Sequence, residues 1–203
     1  MFTPLDDPAE ALDHLADPLR SVRDCLDDGI SWADTTMEGH PPDPYLWSHL
    51  ARYRARNLLS EVAAGHWSMG RNLANSGIEI VCNPLVVRVL KTQGSTTPHP
   101  GRNHARMKYW SQIPSQIRLP LIFGGKPMPQ TPNLIVDWTV GPDKEILLAL
   151  AKPRGVWKYR GNPRLEWRRA VIFGAADEPK FVPSDEDVDV DYDRDELKGD
   201  GEA

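Results

Sequence analysis

The chain has 203 residues, of which 40% are hydrophobic, with seven Trp, nineteen Pro and a formal net charge of −5. That supplies a real core for one domain with extensions, while no apolar run approaches the ~18 residues a membrane span needs. The charge is laid out in blocks: residues 1–40 carry ten Asp/Glu against two Arg, and residues 184–203 carry ten against one Arg and one Lys. Nine acids and twenty Lys/Arg are left for residues 41–183, so a body of formal charge +11 lies between two ends of −8 each.

Such asymmetry speaks about electrostatic partners rather than fold. It suggests three parts: an acidic helical segment over 1–40, a basic α+β body over 41–183 and a disordered acidic tail over 184–203. The first residues lack the basic region and apolar stretch of a secretory signal. Cys25 and Cys82 have no C-x-x-C spacing, which gives neither a zinc site nor a disulfide framework. A reducing, cytoplasmic setting is the expectation, with no membrane partner, no metal and no cofactor.

Asp-Pro pairs punctuate the N-terminal segment. Asp7 before Pro8 reads as an N-cap followed by proline in the first helical turn, with Glu10 placed as in a capping box. Asp17 and Pro18 repeat the signal, and an unbroken helix through Pro18 would cost roughly 3 kcal/mol. Two short helices are expected, about 8–16 and 18–27, with Gly29 as the stop. Leu12, Leu15, Leu19, Val22 and Leu26 hold one apolar stripe across the break, suited to docking on the body.

The strongest helical pattern runs over about 44–64, capped by Asp43 and ended by Gly65. Trp47, Leu50, Ala51, Ala55, Leu58, Leu59 and Val62 share its apolar face, and Arg52 and Arg56 stand four apart on another. From Gly77 the period changes to two. Residues 78–82 and 85–91 read as strands separated by Asn83 and Pro84, the proline suggesting a kink or an edge. Residues 92–101 are a loop by composition, and a short helix follows over about 103–112. Five prolines and the Gly124–Gly125 pair make 114–132 irregular, with one short strand near 119–123.

A hairpin is the clearest β signal. Residues 134–140 alternate, Gly141 to Lys144 form a turn, and 145–151 is a nearly continuous apolar return strand suited to the middle of a sheet. A last strand spans about 165–173. After residue 183, dense like charge leaves too little burial to offset an ordering entropy of ~1–2 kcal/mol per residue. The fold class is therefore α+β, with N-terminal helices packed on a mostly antiparallel sheet of about four to six strands.

Two segments concentrate basic and aromatic residues. In the first, Arg102 and Arg106 lie four apart on a helix that starts near 103, with Lys108 and Tyr109 beside them, a spacing that suits phosphate contact. In the second, Lys152, Arg154, Lys158, Arg160 and Arg168 are interleaved with Trp157 and Tyr159. Arg and Lys track phosphates while aromatic faces stack on bases, so this composition suits single-stranded nucleic acid. It equally suits a plain hairpin whose aromatics pack beneath aliphatic Arg stems.

Catalytic signals are thin, and no residue is assigned a catalytic role. His99, Asn103 and His104 lack the spacing and metal ligands of an H-N-H nuclease. Asp137, Glu145 and Lys152 evoke the Asp…Glu-x-Lys layout of metal-dependent nucleases. However, Glu145 and Lys152 are seven apart, which puts them on opposite faces of a regular strand. Asp137 itself reads as an exposed polar position of a half-buried strand.

The expectation is thus a non-enzymatic, nucleic-acid-associated protein, DNA or RNA, moderated by its acidic ends. A protein–protein adaptor of a phage or mobile-element system is the alternative, and a metal-dependent nuclease is third. The oligomeric state is left open.

Overall fold

The computed structural model describes residues 7–92, 96–98, 104–112, 122–123, 126–127, 133–154, 164–173 and 179–180. Three helices come first: α1 (Pro8–His14), α2 (Ala16–Met37) and α3 (Pro44–Val62). Strands β1 (Trp67–Met69), β2 (Ile78–Cys82) and β3 (Leu85–Lys91) follow, then the short helix α4 (His104–Trp110) and the two-residue strands β4 (Ile122–Phe123) and β5 (Lys126–Pro127). The chain continues through β6 (Asn133–Val140), β7 (Ile146–Pro153), β8 (Leu165–Phe173) and β9 (Pro179–Lys180).

The main sheet has the order β1-β2-β3-β6-β7-β8-β9, while β4 and β5 pair only with each other. Every pairing is antiparallel except β3 with β6, which runs parallel from Val86↔Asn133 to Lys91↔Trp138. The α+β class holds, with six strands of at least three residues and the short β9 at one edge. The expected tail over 184–203 lies outside the described residues.

The helices start where the sequence says. Asp7 accepts from Ala9 N at 2.8 Å, and Asp43 accepts from Tyr45 N and Leu46 N at 3.0 Å each, satisfying amides that an N-terminus leaves without intrahelical partners. The break near residue 16 is real, since α1 ends at His14 and α2 begins at Ala16. Pro18 falls in the first turn of α2, where its missing N–H is no loss.

Gly29 does not stop α2. The helix runs through it to Met37, because this glycine is the point where α2 meets α3. A Cβ placed there would collide with the Ala51 carbonyl oxygen and stand 3.2 Å from Ala55 N. The close approach leaves Ala51, Ala55 and Leu59 of α3 fully buried.

Strand alternation then divides the sheet into two faces. One face carries Ile78, Ile80, Cys82, Leu85, Val87, Val89, Leu134, Val136, Trp138, Leu148 and Leu150, which form a single core with the buried residues of α1, α2 and α3. The N-terminal segment thus supplies part of the body's own core. The other face is covered in part by α4, whose Tyr109 and Trp110 pack against Ile135, Val86 and Leu90. Among the described residues no helix is long and apolar enough to cross a membrane.

Candidate functional site

The face under α4 is held by buried ion pairs. Glu79 is 3% exposed and accepts from Arg71 Nε at 3.0 Å, Arg71 Nη2 at 3.1 Å and Arg88 Nε at 3.0 Å. The Arg88 guanidinium lies 4.0 Å from the centre of the Tyr109 ring, a cation–π contact sheltered from water. Burial pushes the Glu79 carboxyl up, but the hydrogen bonds from Arg71 and Arg88 outweigh it and hold the group below its ordinary value. The Tyr109 hydroxyl shares its one proton between the Val86 and Leu134 carbonyl oxygens, at 2.8 and 2.6 Å.

A second pair lies nearby. Asp137, 1% exposed, accepts from Arg168 Nη2 at 2.8 Å and Nε at 3.1 Å, and from the Thr97 hydroxyl at 2.5 Å. The sequence suggested an exposed Asp137, whereas here it is an internal counter-ion. A buried carboxylate is tolerated only with such partners.

This geometry sorts the basic residues singled out from the sequence. Arg106 and Lys108 are exposed on α4. Arg154 is exposed just beyond β7, its N–H donating to the Arg164 carbonyl at 2.8 Å. Lys152 is only 8% exposed and pairs with Glu166 at 3.1 Å, beside a register shift in the β7–β8 ladder. Lys152 and Arg168, expected on the surface as phosphate contacts, thus serve ion pairs between strands. Arg102, Trp157, Lys158, Tyr159 and Arg160 lie outside the described residues.

Asp137, Glu145 and Lys152 do not assemble into a site. Asp137 holds Arg168, Lys152 holds Glu166, and Glu145 accepts from Asp143 N at 2.9 Å inside its own turn. Among the described residues no group of three His, Cys, Asp or Glu is placed to hold a metal.

A different cationic group forms where α3, α4 and the end of β3 meet. Lys91, the last residue of β3, places Nζ 4.3 Å from the centre of the Trp47 ring and 5.6 Å from that of Trp138. Trp47 is fixed in turn, its indole N–H donating to Asp34 Oδ1 at 2.6 Å. Arg52 lies five residues beyond Trp47 on α3 and donates through Nε to the Ser48 carbonyl at 3.0 Å.

Burial lowers the Arg52 pKa, and the guanidinium of Arg106 lowers it further. Burial likewise lowers Lys91, helped by the nearby Arg52. Arg106 thus acts on Arg52, and Arg52 in turn on Lys91. Among the described residues neither Arg52 nor Lys91 has a carboxylate partner. Two half-buried cations without a counter-ion form an arrangement that favours an anion.

The position in the sheet adds to this. β3 and β6 are the only parallel neighbours among the described strands, so their last residues, Lys91 and Val140, lie at the same end of the sheet. An open pocket of about 330 Å³ lies there, lined by Trp47, Lys91, Ile30, Asp34, Thr139, Val140 and Lys144. Sequence reading found Arg52 and Arg56 as a basic helix face and Arg106 as a phosphate contact. It missed Lys91 and Trp47, because only the fold brings the end of a strand beside a helix forty residues earlier in the chain.

Compared with known proteins, the chain matches no family model, no curated protein and no solved structure. The class its geometry defines is an α+β protein with one mostly antiparallel sheet and two half-buried cations, Arg52 and Lys91, near the end of its parallel strand pair.

Proposed function

We propose that this protein binds nucleic acid through the phosphate backbone, with Arg52, Lys91 and Arg106 as its central contacts. The observation that carries the reading is the placement of Arg52 and Lys91, both half-buried, Lys91 over the Trp47 ring and Arg52 on the same helix as that ring. Neither is ion-paired to a carboxylate among the described residues. Phosphate oxygens supply negative charge to these two cations, and residues 41–183, of formal charge +11, fold against the acidic helices α1 and α2 rather than apart from them. Lys108, exposed on the same short helix as Arg106, extends the contact. Arg154 is an outlying contact, while Lys152 is buried against Glu166 and Arg168, partly exposed, is paired with Asp137.

The acidic ends moderate this affinity. Residues 184–203 carry ten acids and compete with phosphate for the same cations at low salt. The test is an equilibrium titration of the full chain with labelled single-stranded and duplex DNA and RNA over a range of salt. Binding that weakens log-linearly with salt supports the reading. Salt-insensitive affinity, or none at about 50 mM salt, removes it.

A further inference from the structure

We infer that the pocket beside the cationic cluster receives one unpaired, amino-bearing nucleobase, so that the protein prefers single strands to duplex. The inference rests on the phosphate-binding reading above and names the substrate class of the same site. Lys91 belongs to both parts, since it lines the pocket and feels the field of Arg52. A phosphate held by the cluster therefore brings its own nucleoside to the mouth of the pocket.

The walls suit a base. Ile30, Val140 and the Trp47 ring give apolar sides, while the Asp34 carboxylate, the Thr139 hydroxyl and the ammonium groups of Lys91 and Lys144 give polar groups in the same space. The Trp47 ring is held at its N–H by Asp34 and on one face by Lys91, so this wall is set before any ligand arrives. With Asp34 Oδ1 taken by the indole N–H, the other carboxylate oxygen remains an acceptor. Asp34 accepts from an exocyclic amino group such as cytosine N4, while Thr139, Lys91 and Lys144 can donate to a base carbonyl such as cytosine O2. Thymine and uracil, with no amino group, satisfy the donors but leave Asp34 unmatched.

Size points the same way. A volume of about 330 Å³ lies at the low end for small-ligand sites, enough for one base. A duplex would have to flip a base out to use it, whereas a single strand has that base available. The ligand is then either a nucleotide within a strand or a free mononucleotide, both with the same base-plus-phosphate chemistry.

The test uses the full chain with oligodeoxycytidine and oligothymidine of about twenty nucleotides, a duplex of equal length and free CMP. The expected result is a preference of about tenfold for oligodeoxycytidine over both the duplex and oligothymidine. Thr139→Tyr fills the pocket and erases the preference for single strands over duplex. Asp34→Asn, an exposed position that the fold tolerates, brings the cytidine-to-thymidine ratio to one and stands in if the Tyr variant does not fold.

CMP that binds as tightly as the oligomer, and is lost in Thr139→Tyr, makes the free nucleotide the ligand of the same pocket. Equal affinity for duplex, oligothymidine and oligodeoxycytidine, all weakened by Arg52→Gln, overturns the pocket and leaves the phosphate reading standing. Absence of binding to any of these at low salt removes both.

Discussion

Lys91 Nζ lies 4.3 Å above the Trp47 ring, which ties the carboxyl end of a central strand to the first turns of α3. The contact holds a cation in a half-buried place that would otherwise strip it of water. The ring quadrupole supplies part of what hydration gave, at roughly 0.5–2 kcal/mol for such pairs. Replacement of Trp47 by Leu therefore frees Lys91 to move away from Arg52. Nucleic-acid affinity falls severalfold in the Leu variant and recovers in Trp47→Phe, measured by fluorescence anisotropy at fixed salt.

Gly29 sets how closely α2 and α3 can approach. A methyl group there meets the Ala51 carbonyl, which belongs to helix backbone and cannot rotate aside. Gly29→Ala should destabilise the protein by about 1–3 kcal/mol, the usual cost of overpacking. Helix propensity alone would predict a gain from the same change. Urea denaturation with an unchanged m-value checks the sign.

Glu79 makes stability depend on pH. Its folded pKa is held below its ordinary value of 4.5, so its contribution is fully present above that value and is lost as pH falls through the folded pKa. Glu79→Gln leaves Arg88 buried without its counter-ion and should cost about 3–5 kcal/mol at neutral pH. The difference between variant and parent should shrink in acid, as seen by thermal melts at several pH values.

The cysteines are predicted to be inert in the native state. Burial, with Asp24, Asp28 and Glu61 nearby, pushes the Cys25 thiol up to about 11, and burial also raises Cys82. The thiolate is the reactive form, so a disulfide reagent at pH 8 should label both residues only after unfolding. Prompt labelling of the native protein would contradict the burial seen for them.

Where local chemistry decides, the fold was legible. The strands over 78–82, 85–91 and 165–173 are visible as alternation, and Asp7 and Asp43 announce their helices. Gly29 misled, because glycine marks a helix stop as readily as a close crossing, and only α3 distinguishes the two. The three-residue β1 is too short to show a period. Lys152 and Arg168 looked like surface cations because their partners, Glu166 and Asp137, depend on strand register, which the linear sequence does not display. Arg52, Lys91 and Arg106 were legible only in pieces, since they are separated by long stretches of chain and stand on three different elements.

The most direct measurement is the salt dependence of nucleic-acid binding by the full chain and by an Arg52→Gln/Lys91→Met double variant. The parent should bind at about 50 mM salt, and the variant should lose affinity uniformly across sequences, with a slope smaller by about 0.7–0.9 for each phosphate contact removed. Identical affinities and slopes for the two proteins, with both folded, would contradict the assignment of this cluster as the phosphate-binding centre.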